Sequence, residues 1–493
     1  MSERSPGLTR DSEAMPMAGT AAPSRPSLAE PPIPGGRIEA QMGKLIKVLS
    51  SSLLTRPKVA VSFSALGLGG VAFVGLCAPN SATVPVLLPL TALARQLGAP
   101  KLSFVATLLV MYPAIVLCCL GLAGMLWANG KGWNPSPRRV FWTSVAAIAV
   151  CVNITPVGSS DSASYAAYGR IAALGYDPYV FTPYSLPGGA HNPYTILVGT
   201  TWQKTPSVYG PVATWTQLLA AWIGGGKPWA TIWVILICTA IAFVLAGYVL
   251  QRTAANPVRA SLLWVANPLL IEQLVLGGQL DSYVALAGVV AILISRRGST
   301  AWHDAAAGIL VGVAGGIKVT AVFVGLGIAV PLLRDRAWLR LARTGAVAGA
   351  VTTALYVFSY GLHALLLAFR DSKQVISPSV WWLVRGICDH LYPTHTAGIS
   401  TVFGFLWPPL TLALAWYFYN RLSPDVSAAA AATCALTLAW AIVTPWSLPW
   451  YTSVAWVALA LLPRNTLTRW LTLATGTLAI MHFNGGHPIN PTP

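Results

Sequence analysis

The sequence predicts an all-α, polytopic membrane protein with about thirteen transmembrane helices. Three observations carry that prediction. Hydrophobic residues make up 55% of the 493 and charged residues only 9%, against about 25% charged in soluble domains, too few to cover a soluble fold of this size. Apolar runs near the ~20 residues needed to cross a hydrocarbon core recur from Pro57 to Phe483. Lys and Arg gather in short clusters between those runs. The net charge of +17 is therefore a topology signal and a surface for membrane lipids with anionic headgroups, and no nucleic acid is expected as a partner.

The first forty residues stand apart. Pro6, Pro16, Pro23, Pro26, Pro31, Pro32 and Pro34 lie among Ser, Ala, Gly and mixed charge, a composition that cannot bury enough surface to order itself. No apolar stretch there resembles a signal peptide. The expectation is a disordered cytoplasmic tail, 1–40, ahead of one multi-spanning domain, 41–493.

Basic clusters then orient the chain. Those at 44–56, Lys131–Arg139, Arg252–Arg259, Arg296–Arg297, Arg334–Arg343, Arg421 and Arg464–Arg469 fall on one side under a single set of spans. These are 57–78, 101–127, 140–156, 229–250, 260–278, 281–295, 305–318, 319–333, 341–361, 400–420, 427–444, 450–463 and 468–483. The N-terminus is then cytoplasmic and the C-terminus outside, in a multi-pass plasma-membrane protein. Val212–Ile223 is too short to cross and suits a re-entrant or interfacial helix; Pro85 and Pro89 make Val84–Leu97 a surface segment.

Two long extracytoplasmic loops remain, about 157–227 and 362–401, and loops of that length are usually functional. The first carries Tyr165, Tyr168, Tyr176, Tyr179, Tyr184, Tyr194 and Tyr209. Such rings form an interfacial belt or stack on the apolar faces of sugars.

Acidic residues are few enough for elimination. Of fourteen, Glu3, Asp11, Glu13, Glu30 and Glu39 lie in the tail, and Asp304, Asp335 and Asp425 in cytoplasmic loops. Asp161, Asp177, Glu272, Asp281, Asp371 and Asp389 are left near the outer face. Asp161, in Gly158-Ser159-Ser160-Asp161-Ser162, is either a general base at the membrane surface or the N-cap of a helix starting at Ser162; residue type alone fits both. Glu272, and Asp281 after Gly277-Gly278-Gln279-Leu280, are ionisable groups at membrane depth, hence functional candidates. Lys318, following Gly315-Gly316, either holds a lipid phosphate or snorkels to the interface. Arg385, with His390 and His395 nearby, offers a second phosphate partner, since guanidinium binds phosphate bidentately. The seven His and seven Cys form no HExxH, HxH or CxxC pattern, so neither metal nor disulfide framework is indicated. P-loop, dinucleotide and GxSxG signatures are absent, and no cofactor is expected.

A resemblance sharpens this picture. The run Asp161-Ser-Ala-Ser-Tyr165-Ala-Ala-Tyr168-Gly169-Arg170-Ile-Ala-Ala-Leu-Gly175-Tyr-Asp177-Pro178-Tyr179 resembles a segment of the polyprenol-phosphate-mannose-dependent mannosyltransferases of actinobacteria. Thr205-Pro206-Ser207-Val208-Tyr209-Gly210-Pro211 is similar to that family's Ser/Thr-Pro-x-x-Tyr-Gly-Pro stretch. Asn267-Pro268, Lys318 after its glycine pair, and Pro449-Trp450-Tyr451 fit as well.

The resemblance, over about 55–485, implies the glycosyltransferase class C fold with large extracytoplasmic loops. It implies inverting transfer of mannose from a polyprenyl-phosphate donor onto a mannan or lipid-anchored glycan in α-1,6 linkage, as in building the mannan core of lipomannan and lipoarabinomannan. Asp161 would be the catalytic base. Arg170, Lys318 and Arg385 would hold the donor phosphate; Tyr165, Tyr168, Tyr209, Glu272, Gln279, Asp281, Trp450 and Tyr451 would contact substrate.

The chain departs from the family pattern in two places. Gln279-Leu280-Asp281 stands where many relatives carry a His-Asn-Asp type cluster. The acidic pair of other class C enzymes is reduced to Asp161, leaving Asp177 or Asp281 as the second carboxylate. A transporter or flippase of lipid-linked sugars is the alternative class, and another polyprenyl-linked sugar the alternative donor. Polar residues gathered at one face, without a repeat between the halves, favour the enzyme.

Overall fold

A computed structural model describes residues 56–298, 300–371, 375–376, 379–391, 396–423 and 427–482. The described residues belong to one compact unit within Ser52–Pro493. The expected tail, 1–40, lies outside them, as do the basic residues before Arg56. The protein is a helical membrane protein, and among the described residues its one β-feature is an isolated bridge between Thr83 and Val157.

The helices, in chain order, are α1 Pro57–Leu76, α2 Pro89–Gln96, α3 Phe104–Gly130, α4 Pro137–Cys151, α5 Asp161–Ala173, α6 Pro211–Ile223, α7 Pro228–Thr253 and α8 Pro257–Leu263. Then follow α9 Asp281–Arg297, α10 Ala301–Gly315, α11 Val322–Arg334, α12 Trp338–Phe358, α13 Leu362–Asp371, α14 Val380–Leu391, α15 Thr396–Tyr419, α16 Ala428–Val443, α17 Ser453–Ala460 and α18 Leu467–His482. Proline sets many of the starts. Pro57, Pro89, Pro137, Pro211, Pro228 and Pro257 each open a helix, where the missing N–H is no loss and the fixed φ is already helical.

Among the described residues, five helical stretches are long and apolar enough to cross a membrane: α1, α3, α7, α12 and Val402–Tyr419 of α15. Where the sequence predicts a continuous span over 260–278, the chain breaks instead. α8 ends at Leu263, a short helical turn runs from Pro268 to Leu270, and Ile271–Leu276 winds as a π-helix. Proline disfavours helical backbone in the residue before it. Asn267 accordingly turns out of the helix, and its Oδ1 accepts from the N–H groups of Leu269 and Leu270 at 3.1 and 3.4 Å.

Small residues allow the long helices to approach closely, as is usual between membrane helices. A Cβ on Gly67 of α1 would lie 2.7 Å from the Ala114 carbonyl of α3, and one on Gly312 of α10 would lie 2.7 Å from Val351 of α12.

The stretch expected as a first outer loop, 157–227, is a folded layer and not an open loop. α5 and α6 pack together within it, with four short 3₁₀ turns between them. A Cβ on Gly169 of α5 would sit 2.2 Å from the Gln217 carbonyl of α6, so the bare glycine permits the contact. At thirteen residues, α6 is roughly 20 Å long, short of a hydrocarbon core. The second expected loop contains α13, α14 and the beginning of α15.

Candidate functional site

The site is built where the start of α5, the turn before α9 and the turn after α10 meet. Asp161 is the first residue of α5, and no side chain caps that helix. The N-cap reading of its carboxylate is not what the fold uses it for. Its backbone N–H donates to Ser159 Oγ at 3.1 Å, while the carboxylate receives the Tyr165 hydroxyl, one turn on, at 3.4 Å.

The same hydroxyl lies 3.0 Å from Gln279 Oε1, and Gln279 Nε2 donates to Ser159 Oγ at 2.9 Å. Gln279 reaches this position because Gly278 turns the chain with φ +66°, a conformation glycine adopts without cost. A Cβ there would also press on Leu236 at 2.9 Å.

Two residues beyond Gln279, Asp281 opens α9. It is 1% exposed and takes a hydrogen-bonded ion pair from Lys318 Nζ at 2.7 Å. The Lys318 ammonium lies 4.6 Å from the centre of the Tyr451 ring, within cation–π range, and that ring stacks on Trp440 at 4.9 Å.

Lys318 is carried to the site by backbone pairing between two of the sequence motifs. The Gly210 N–H donates to the Ile317 carbonyl at 3.0 Å and the Val212 N–H to the Gly316 carbonyl at 2.8 Å. This docks the Tyr209-Gly210-Pro211 turn against Gly315-Gly316-Ile317-Lys318. Tyr209 then meets Tyr165 edge-on at 4.9 Å and Tyr168 at 6.4 Å. The Tyr168 hydroxyl donates to the carbonyls of Thr205 and Pro206 at 3.0 and 3.4 Å.

The electrostatics follow from this packing. Asp161 is half-buried, and the protein around it pushes its carboxyl above the ordinary aspartate range. Lys318 and hydrogen bonds from Gln279 and Tyr165 pull it back, while the charge of Asp281 adds to the rise. Burial drives the Tyr165 and Tyr209 phenols well above their usual value. Near neutral pH both therefore act as hydrogen-bond donors, not bases. The centre thus holds a carboxylate able to accept a proton beside a cation able to face an anionic oxygen.

The remaining sequence candidates lie in other settings. Arg170 is in the last turn of α5, near Gly226 and Tyr194. Arg385, on α14, pairs with Asp389 on its own helix at 3.3 Å. Glu272 is 2% exposed, bonded to the Gln273 amide and beside Cys118 and Cys119 of α3. Trp450 is buried, with its indole Nε1 unpartnered among the described residues. Asp177 fixes a turn, its Oδ1 accepting from the Tyr179 N–H at 2.8 Å, so Asp281 is the carboxylate placed with Asp161. His395 and Asp425 lie outside the described residues. Sequence reading missed Ser159, which joins Asp161 to Gln279, and Trp440, which backs Tyr451. The small polar run before Asp161 was the available hint for Ser159; Trp440 left none within its apolar run.

Fold and site together define a helical membrane protein with one polar centre gathered from loop turns and helix starts. Residues 64–334, just over half of the chain, match the model of the α-(1→6)-mannopyranosyltransferase N-terminal domain. The chain belongs to the α-(1→6)-mannopyranosyltransferase family. It is 26% identical over 355 residues to α-(1→6)-mannopyranosyltransferase B of Corynebacterium glutamicum, covering 64% of this chain and 57% of that relative. It is 24% identical over 409 residues to α-(1→6)-mannopyranosyltransferase A of Mycobacterium tuberculosis, covering 76% and 74%. A probable α-(1→6)-mannopyranosyltransferase of Mycolicibacterium smegmatis is 33% identical over 142 residues, 28% of this chain and 24% of the relative. No solved structure matches the chain at a significant level.

Proposed function

We propose that the protein transfers mannose from polyprenyl-phosphate-mannose to a mannan or lipid-anchored glycan, in α-1,6 linkage, on the extracytoplasmic face of the membrane. The observation that carries this is the convergence of Asp161, Gln279, Asp281 and Lys318, distant in sequence, on one partly buried centre. Membership of the family and the names of its relatives support the sugar and the linkage.

Asp161 takes the proton of the acceptor hydroxyl as that oxygen attacks the anomeric carbon. The bond from that carbon to the phosphate oxygen breaks with inversion, and polyprenyl phosphate leaves with the electron pair. Lys318, which has three donor hydrogens and spends one on Asp281, stabilises the negative charge of the departing phosphate. Tyr165 and Gln279 hold Asp161 in position.

The test is transfer of radiolabelled mannose from polyprenyl-phosphate-mannose to a short α-1,6-mannoside, in membranes holding wild type or Asp161→Asn. The expected outcome is a loss of at least about a hundredfold in the variant at equal expression, the lower end of what general base catalysis contributes. Full activity in Asp161→Asn would move the base elsewhere. No transfer by wild type, with transfer from another polyprenyl-linked sugar, would replace the donor.

A further inference from the structure

Beside the polar centre lies a cleft of about 240 Å³, walled by the 81–85 segment, the Ser159–Ser160 turn and the 196–203 stretch. Its polar lining is Ser81, Thr83, Ser159, Ser160, Thr200 and Gln203; no Lys, Arg, Asp, Glu or aromatic side chain lines it. The hydroxyls and the Gln203 amide oxygen, whose NH2 is spent on the Thr195 and Val198 carbonyls, carry no charge to neutralise a phosphate, whereas they suit the hydroxyls of a neutral sugar, which both donate and accept. Smaller than the roughly 300–1,000 Å³ of drug-sized pockets, it is sized for a terminal glycosyl unit.

The wall shared with the centre is already prepared. Ser159 is 3% exposed, and its Oγ accepts from the Asp161 N–H and from Gln279 Nε2. Both lone pairs are thereby filled. The hydroxyl hydrogen has no acceptor among the described residues and is left to donate into the cleft. Ser81 Oγ, in the adjoining 81–85 wall, is buried without a hydrogen-bond partner among the described residues. Lys318, the cation of the centre, does not line the cleft.

We infer that this cleft is the acceptor subsite, binding a neutral glycosyl unit whose attacking hydroxyl is presented to Asp161 past Ser159, while the charged end of the donor lies on the Lys318 side. The assignment of acceptor rests on the proposed transfer reaction; the binding of a neutral glycan in the cleft does not.

The experiment uses the purified full-length chain in lipid nanodiscs with α-1,6-mannobiose as probe. Thr200 and Ile196 are exposed at the rim, so Thr200→Trp and, independently, Ile196→Trp block the cleft without disturbing the core. Each is expected to raise the KM for mannobiose at least tenfold with the donor KM within twofold of wild type. Ser159→Ala, which removes the donation into the cleft together with the two hydrogen bonds that Ser159 accepts from the Asp161 N–H and Gln279, is expected to raise the mannobiose KM about threefold to tenfold and to lower kcat as well. An unchanged mannobiose KM in both tryptophan variants, or a parallel rise in donor KM, overturns the inference. If wild type transfers no mannose, the proposed reaction fails and the cleft is read by saturation-transfer NMR of mannobiose. A signal in wild type that both tryptophan variants lose upholds a neutral-glycan site. No signal in wild type, or one surviving in both variants, overturns it.

Discussion

Asp161 and Asp281 share one centre, and their surroundings give them different work. Asp281 is almost wholly enclosed and held at 2.7 Å by Lys318, so its proton affinity is already committed to an ion pair. Asp161 is half-buried and follows directly on Ser159–Ser160, which wall the cleft. Burial first, and then repulsion from Asp281, raise the Asp161 carboxyl above the usual range. A base must be ionised to act, so activity falls as pH drops through a pKa higher than that of an ordinary aspartate. Asp281→Asn removes the repulsion and leaves the Lys318 charge to Asp161 alone. Both changes favour the carboxylate, so the acid limb of kcat/KM shifts to lower pH, measured as a pH–rate profile with the donor saturating. A limb that stays in place would break this electrostatic link, and complete loss of activity in a folded Asp281→Asn protein would make Asp281 the base. Residue type alone did not separate these roles. Arg170 and Arg385 carry the same charge as Lys318, yet neither is placed with Asp161, because cation chemistry does not encode position.

At the scale of elements, the site depends on one close approach between turns. A Cβ on Gly210 would fall 2.3 Å from the Gly316 carbonyl and 2.7 Å from the Tyr356 hydroxyl, so the turn before α6 docks on the turn after α10 only with hydrogen at that position. The φ of Gly210, −72°, is one any residue adopts; the requirement is space. Gly210→Ala is therefore expected to destabilise by about 1–3 kcal/mol, the usual cost of overpacking, with a lowered thermal midpoint in detergent. It should also reduce kcat beyond that loss, since Tyr209 and Lys318 flank the contact. Gly345→Ala and Gly349→Ala serve as controls: a Cβ at either position in α12 has nothing within 4 Å, and Gly to Ala inside a helix gains roughly 0.5–1 kcal/mol. Equal melting of all three variants would remove the steric argument. Both halves of this contact stood out in the sequence as glycine-bearing motifs. Their pairing was not legible, because it runs through backbone atoms that leave no periodicity. The break at Asn267–Pro268 was hidden for a related reason: hydropathy registers apolar length and not the backbone restriction that proline imposes.

Over the whole molecule, the class of fold followed from composition because apolar length and charge depletion are bulk properties. The cytoplasmic assignment of the basic clusters meets a second use for those residues. Arg259 is 7% exposed and donates to the carbonyls of Leu459 and Leu462 at 3.2 and 2.7 Å, satisfying the end of α17. Arg340 pairs with Asp304 at 2.9 Å and donates to the Ser295 and Gly298 carbonyls at the end of α9. These arginines close helix ends, and α9 joins one such basic end to the polar centre. Its seventeen residues span roughly 25 Å, close to the ~30 Å of a hydrocarbon core, with Asp281 in the polar centre at one end and Arg296–Arg297 at the other. If α9 crosses, although it is not one of the five helices long and apolar enough by themselves, and its basic end is cytoplasmic, as the positive-inside rule favours, the centre and its cleft face outward. Single cysteines test this in a background lacking the seven native ones. Thr200→Cys, exposed at the cleft rim, should react with a membrane-impermeant maleimide on intact cells. Arg297→Cys, exposed at the far end of α9, should react only after permeabilisation. The reverse pattern would invert the protein and place sugar transfer in the cytoplasm. Labelling of both positions from outside would mean that α9 does not cross, and the thirteen-span arrangement would fall with it.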